Sequence, residues 1–167
     1  MSEIAVSTVD AAWEDVSKIT VGRIPQEMER AARAQPELLS FILGSTEGMS
    51  AGVGELAGFI YIVLWRAFRA ETSGPIGAAR SVDIQRKLEE NEKALESLDG
   101  LDPQSMDPGA VAKLTSQPAL LSYVIDAIAE AEEDENEPVM MSPEEKGSLI
   151  LLLKTAIDVL DDLRAQA

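Results

Sequence analysis

The chain contains no cysteine and no histidine, and its aromatic residues are three phenylalanines, two tyrosines and two tryptophans among 167 residues. Without cysteine there is no disulfide framework, thiol nucleophile or thiolate metal site, so the fold rests on packing alone. Without histidine, Ser-His-Asp triads and the Glu-x-x-His pairs of di-iron bundles are excluded. Positive charge is scarce too: 14 Lys and Arg stand against 30 Asp and Glu, for a formal charge of −16. A nucleic-acid binder needs a basic surface to displace counterions from phosphates, so direct DNA or RNA binding is not expected.

Long hydrophobic runs are also missing. The most apolar segment, residues 51–70, is uninterrupted only from Leu56 to Trp65, ten residues closely bracketed by Glu55, Arg66 and Arg69. A bilayer demands about 20, so no membrane span is expected. The opening Met1-Ser2-Glu3-Ile4 carries neither the basic region nor the apolar stretch of a secretory signal, and a cytoplasmic address is the default expectation.

What is present favours helices. Ala, Leu, Glu, Ile and Ser dominate, a mixture suited to helices packed by aliphatic side chains. The expected fold is all-α: one compact helical bundle of about six to eight helices forming a single domain over residues 1–167. Ser7-Thr8-Val9-Asp10 reads as a capping box for a helix over 8–20, with Val9, Ala12, Trp13, Val16 and Ile19 on one face. Pro25 opens a helix to Ala34, and Pro36 opens another ending at a Gly44 cap. The central helix at 51–70 follows, with Gly54 and Gly58 placed for close backbone approach to a neighbour. Ser81 caps a helix over 82–98, where Ile84, Leu88, Asn91, Leu95 and Leu98 form a heptad stripe interrupted by asparagine. Turns follow at Asp99-Gly100 and Asp102-Pro103, and Asp107 caps a short helix over 108–115. Helices over 118–132 and 143–165 complete the chain, the last with a full capping box at Ser142, Pro143 and Glu145.

One segment recurs. Gln35-Pro36-Glu37-Leu38-Leu39-Ser40-Phe41-Ile42-Leu43 reappears as Gln117-Pro118-Ala119-Leu120-Leu121-Ser122-Tyr123-Val124-Ile125, and each copy is followed by Met-Ser, at Met49-Ser50 and Met141-Ser142, and then by a long apolar helix. The order of parts suggests an internal duplication with halves at 21–70 and 103–163, joined by the helix at 82–98.

Two features carry functional expectations. The central helix is apolar nearly all round, so the Tyr61, Trp65 and Phe68 face needs cover, either from the chain's own helices at 82–98 and the N-terminus or from a second copy in a homodimer. Its counterpart in the last helix has an apolar stripe backed by Lys154, Asp158, Asp161 and Asp162, which reads as a solvated face. The acidic run Glu130 to Glu137, with Glu132, Glu133, Asp134 and Glu135 at its centre, reads as a frayed helix end entering a mobile loop that offers a surface to a partner. It lacks the glycine and spacing of a calcium loop. No phosphate-binding glycine pattern and no defensible acid/base pair occurs, so no catalytic residue, metal or cofactor is assigned. The expected role is a non-enzymatic protein-interaction module that self-associates. A small-molecule-binding or enzymatic bundle and an acidic inhibitor or nucleic-acid mimic are the alternatives.

Overall fold

In the computed structural model, which describes residues 2–96 and 108–167, the chain forms α1 (Val6–Ser17), a 3-10 turn (Val21–Arg23), α2 (Ile24–Ala34), α3 (Pro36–Thr46), α4 (Val53–Ala70), α5 (Ser81–Glu96), α6 (Pro108–Leu114), α7 (Pro118–Glu133) and α8 (Pro143–Ala165). No strand occurs among the described residues, so the all-α expectation holds. The turns at Asp99-Gly100 and Asp102-Pro103, the Asp107 cap and Leu98 of the heptad stripe lie outside the described residues.

Proline occupies the first turn of α2, α3, α7 and α8, where its missing N–H forfeits no helical hydrogen bond. The capping box of α8 forms as expected, with Glu145 N–H donating to the Ser142 hydroxyl at 3.1 Å and Ser142 N–H donating to Glu145 Oε1 at 3.0 Å. Two other expected caps differ. α1 starts at Val6 with no side-chain cap, and Thr8 instead donates its hydroxyl to Glu71 at the end of α4. Gly44 stays helical; α3 continues to Thr46, and the left-handed positions are Gly48 and Gly52, with φ of 83° and 85°. Glycine is needed there because a Cβ would clash with the backbone in that region.

α4 lies at the centre, touching α1, α2, α3, α7 and α8. Its Ile60, Tyr61, Val63, Leu64, Ala67 and Phe68 are fully buried. Each large apolar side chain removed from water in this way contributes about 1.5–3 kcal/mol. Gly58 meets the Met28 methyl and Gly54 the Thr46 hydroxyl, so these glycines do serve close packing.

The two Gln-Pro copies share a structural task that their sequence does not announce. Gln35 and Gln117 are both buried, at φ/ψ of −138°/68° and −126°/70°, immediately before α3 and α7. Gln35 Oε1 accepts the Ala79 N–H at 2.8 Å while its Nε2 donates to Gly77 O at 2.7 Å. Gln117 Oε1 accepts the Ile4 N–H at 2.8 Å while its Nε2 donates to Ser2 O at 3.4 Å. A side-chain amide carries the same donor and acceptor as a peptide group, so each glutamine pairs with a non-helical segment as a neighbouring backbone would. In both cases the helix that follows, α1 or α5, begins two residues after the clamped N–H. The start of α1 is therefore set by the Ile4 clamp, which explains why the Ser7 box is unused.

Glu145 ties the ends of two connections together. Beyond its capping bonds, it accepts the Ser50 N–H at 2.6 Å and the Ser50 hydroxyl at 2.7 Å. These bonds, the Ser142 N–H first and the Ser50 N–H next, hold its carboxyl down to about 2. A carboxyl lowered by folding stabilises above its unfolded value and loses that contribution as pH falls through the folded one. The stability difference between the native chain and Glu145→Gln, followed by urea unfolding, is expected to be constant above pH 5 and to shrink steadily between about pH 4.5 and 2. A difference that does not change over this range would count against the contact.

Candidate functional site

The residues singled out in the sequence do not form one surface. Tyr61 and Phe68 are fully buried and Trp65 is half-buried, because α1, α7 and α8 pack on α4 and cover this face from within the chain. Tyr61 and Phe68 are thus covered within the chain, and of the two helices expected to do so the N-terminal α1 packs on α4. Burial raises the Tyr61 phenol above its ordinary value, and its hydroxyl has no hydrogen-bond partner among the described residues, a cost of about 1–3 kcal/mol. The Arg164 guanidinium lies 5.7 Å from the Phe68 ring centre.

The acidic run makes contacts back to the chain. Glu132 pairs with Lys146 at 2.7 Å. Asp134 accepts the N–H groups of Glu137 and Asn136, bonds that lower its carboxyl below the usual range, and Val139 N–H bonds back to Ala131 O at 2.9 Å. Glu133 and Glu135 are exposed.

The polar back of α8 is a second correction. α5 packs along it, and Lys154 is only 4% exposed. Its ammonium donates to Asn91 Oδ1 at 2.7 Å and Asp158 Oδ2 at 2.8 Å, and Asn91 Nδ2 donates to Thr155 Oγ1 at 3.2 Å and Asp158 Oδ2 at 3.0 Å. The network joins α5 to α8. A second network closes the chain's ends: Arg164 donates to Ser2 O at 2.7 Å and Asp161 Oδ1 at 2.9 Å, and Gln117 Nε2 reaches the same Asp161 oxygen at 3.0 Å. No group of three or more acidic residues among the described residues is placed to hold a metal ion. No helix there is long and apolar enough to cross a membrane.

The open feature is a groove between α1 and α7. Val6, Val9, Asp10 and Trp13 line it from α1, and Ala119, Ser122, Tyr123, Asp126, Ala127 and Glu130 from α7. Both sets follow the i, i+3, i+4, i+7 spacing of a single helix face. Val6 is 64% and Trp13 43% exposed, whereas Val9 below them is buried. The sequence placed Trp13 on the buried face with Val9, Ala12 and Val16; those three are buried and the tryptophan is not. The groove extends past Glu3 and Ile4 toward Val111 of α6. Asp10, Asp126 and Glu130 have no ion-pair partner, and no base lines the groove, among the described residues. The Tyr123 hydroxyl in its wall is out of solvent and has no hydrogen-bond partner among the described residues; burial first and the Glu130 charge second raise its phenol above the ordinary value. By contrast, the bases around the α5–α8 groove are paired: Arg80 and Arg86 with Asp83, and Lys87 with Glu90 and Asp162. No family model, curated protein or solved structure matches the chain.

Proposed function

We propose that the chain is a non-enzymatic protein-interaction module, built from two copies of a four-helix unit, which presents the α1–α7 groove to a partner. The groove carries the reading: it sets two exposed large apolar side chains, Val6 and Trp13, beside carboxylates with no ion-pair partner among the described residues. Exposed apolar surface rimmed by polar groups is characteristic of binding faces.

The duplication is supported by the packing. α1 lies on α4 and α7, and α5 on α8 and α3; α3 lies on α4, as α7 on α8. Aligned on the glutamine clamps, buried Ile4, Val9 and Val16 correspond to buried Ala79, Ile84 and Asn91. Aligned on Met-Ser, buried Ala57, Ile60, Tyr61, Ala67 and Phe68 correspond to buried Leu149, Leu152, Leu153, Val159 and Leu160. In this arrangement the halves are residues 1–70 and 76–165, larger than the sequence suggested, and α5 is the counterpart of α1 in place of a joining helix.

The test is site-specific cross-linking in cells, with a photoreactive residue at Trp13 or at Glu133. A discrete adduct with another protein from position 13, absent from position 133, is the expected result. Equal or no capture from the two positions would remove the groove as the docking face.

A further inference from the structure

Resting on that reading of the groove, we infer that its occupant is a basic amphipathic helical segment of a partner protein. The apolar lining is Val6, Val9, Trp13 and Tyr123, with buried Val9 at its floor, and the exposed carboxylates Asp10, Asp126 and Glu130 form its rim. α1 has 12 residues, or about 18 Å of helix, so a segment of three to four turns matches the groove in length. A helix laid into such a groove places apolar residues at i, i+3 or i+4 and i+7 on the floor and directs its flanking Lys or Arg to the rim. A guanidinium there also finds the exposed indole face of Trp13, an attraction additional to the carboxylates.

Charge complementarity points to a basic occupant in preference to a neutral one. The three rim carboxylates have no ion-pair partner among the described residues. The fold does not require them: on the clamp alignments, Gln85 stands where α1 has Asp10, Leu88 where it has Trp13, and Gly44 and Gly48 where α7 has Asp126 and Glu130. Asp10 and Asp126 thus have uncharged counterparts on α5 and α3, and the counterpart of Glu130 falls in the turn after α3. Like-charge repulsion from the same rim, in a chain of net charge −16, disfavours nucleic acid and anionic membrane surfaces.

The experiment uses the full chain with Trp65→Phe, leaving Trp13 as the sole indole reporter, and three 18-residue peptides of identical leucine pattern whose polar face is Lys, Gln or Glu. The Lys peptide is expected to shift the Trp13 emission to shorter wavelength. Its affinity should fall about tenfold on combining Asp126→Asn with Glu130→Gln, and fall less on combining Glu133→Gln with Glu135→Gln, which removes the same charge outside the groove. Backbone amide NMR shifts on the unsubstituted chain, confined to α1 and α7, check that Trp65→Phe has not altered the site. Equal weakening by the two double variants would mean diffuse attraction to an acidic surface and would overturn the inference. Binding of the Gln peptide as tightly as the Lys peptide, with Trp13 responding, would sink the charge argument while leaving the groove as a docking face. No response of Trp13 to any peptide would remove both.

Discussion

Asp158→Ala is expected to destabilise the protein by about 3–5 kcal/mol, because it strips a buried lysine of its counter-charge. The Lys154 side chain is 6% exposed and that of Asp158 14%, at 2.8 Å from each other. With the carboxylate gone, Lys154 keeps only Asn91 Oδ1 as an acceptor, and Asn91 Nδ2 keeps only Thr155. For a chain of this size the loss lowers the melting temperature by roughly 6–20 °C. The matching experiment removes the whole network at once. On the two alignments, α1 and α4 carry Val16, Ile62 and Val63 where the α5–α8 contact has Asn91, Lys154 and Thr155, and the first set is buried without charge. The quadruple variant Asn91→Val, Lys154→Ile, Thr155→Val, Asp158→Ala is therefore expected to be as stable as the native chain or more so, since replacing a buried ion pair with packed apolar residues is often neutral or stabilising by 1–4 kcal/mol. Calorimetry on both variants decides the matter. An Asp158→Ala protein within about 1 kcal/mol of native would show that water or a rearranged side chain compensates Lys154, and a failing quadruple variant would deny the equivalence of the two helix pairs.

The same network shows where sequence reading stops. Helix starts were legible because their chemistry is local: a proline in the first turn, or Ser142 and Glu145 three residues apart. Lys154, Asp158, Asp161 and Asp162 at intervals of three and four read as a solvated face, and nothing nearby in the chain contradicts that. What buries part of it is α5, whose Asn91 is 63 residues from Lys154. Trp13 failed in the opposite direction. It shares a turn with buried Val9, Ala12 and Val16 but sits at the edge of their stripe, and only the course of α7 decides which side of that edge is covered. The Tyr61, Trp65 and Phe68 face was rightly seen to need cover, yet which helix supplies it is a question of topology that periodicity does not address. The acidic run was readable as charge but not as structure, because the Lys146 partner of Glu132 lies beyond the turn.

The duplicated glutamines give the second large expectation. Gln35→Ala and Gln117→Ala should each cost about 2–5 kcal/mol, although an N-terminal glutamine flanking a helix ordinarily counts for little. Each truncation leaves a buried backbone N–H, Ala79 or Ile4, facing the space a buried side chain had filled; Gly77 O also loses its donor at 35, whereas at 117 Ser2 O keeps Arg164. Unsatisfied buried polar groups cost about 1–3 kcal/mol apiece, offset where water enters. Gln117 should be the more sensitive, because it also bonds Asp161, which in turn holds Arg164. Glutamate cannot rescue either position: it accepts the N–H but repels the carbonyl, and at 117 it also faces the Asp161 carboxylate. The clamped N–H groups lie 44 and 113 positions away from Gln35 and Gln117, so the lesions should report at a distance from the substitution. Hydrogen exchange is expected to accelerate at Ala79 and the first turn of α5 in Gln35→Ala, and at Ile4 and the first turn of α1 in Gln117→Ala. If exchange instead rose first in α3 or α7, the helices these glutamines precede, their role would be local capping and the clamp would lose its meaning. Because α1 forms one wall of the groove, Gln117→Ala should also weaken binding of the Lys peptide proposed for that groove, while Gln35→Ala, destabilised less and distant from that wall, should not.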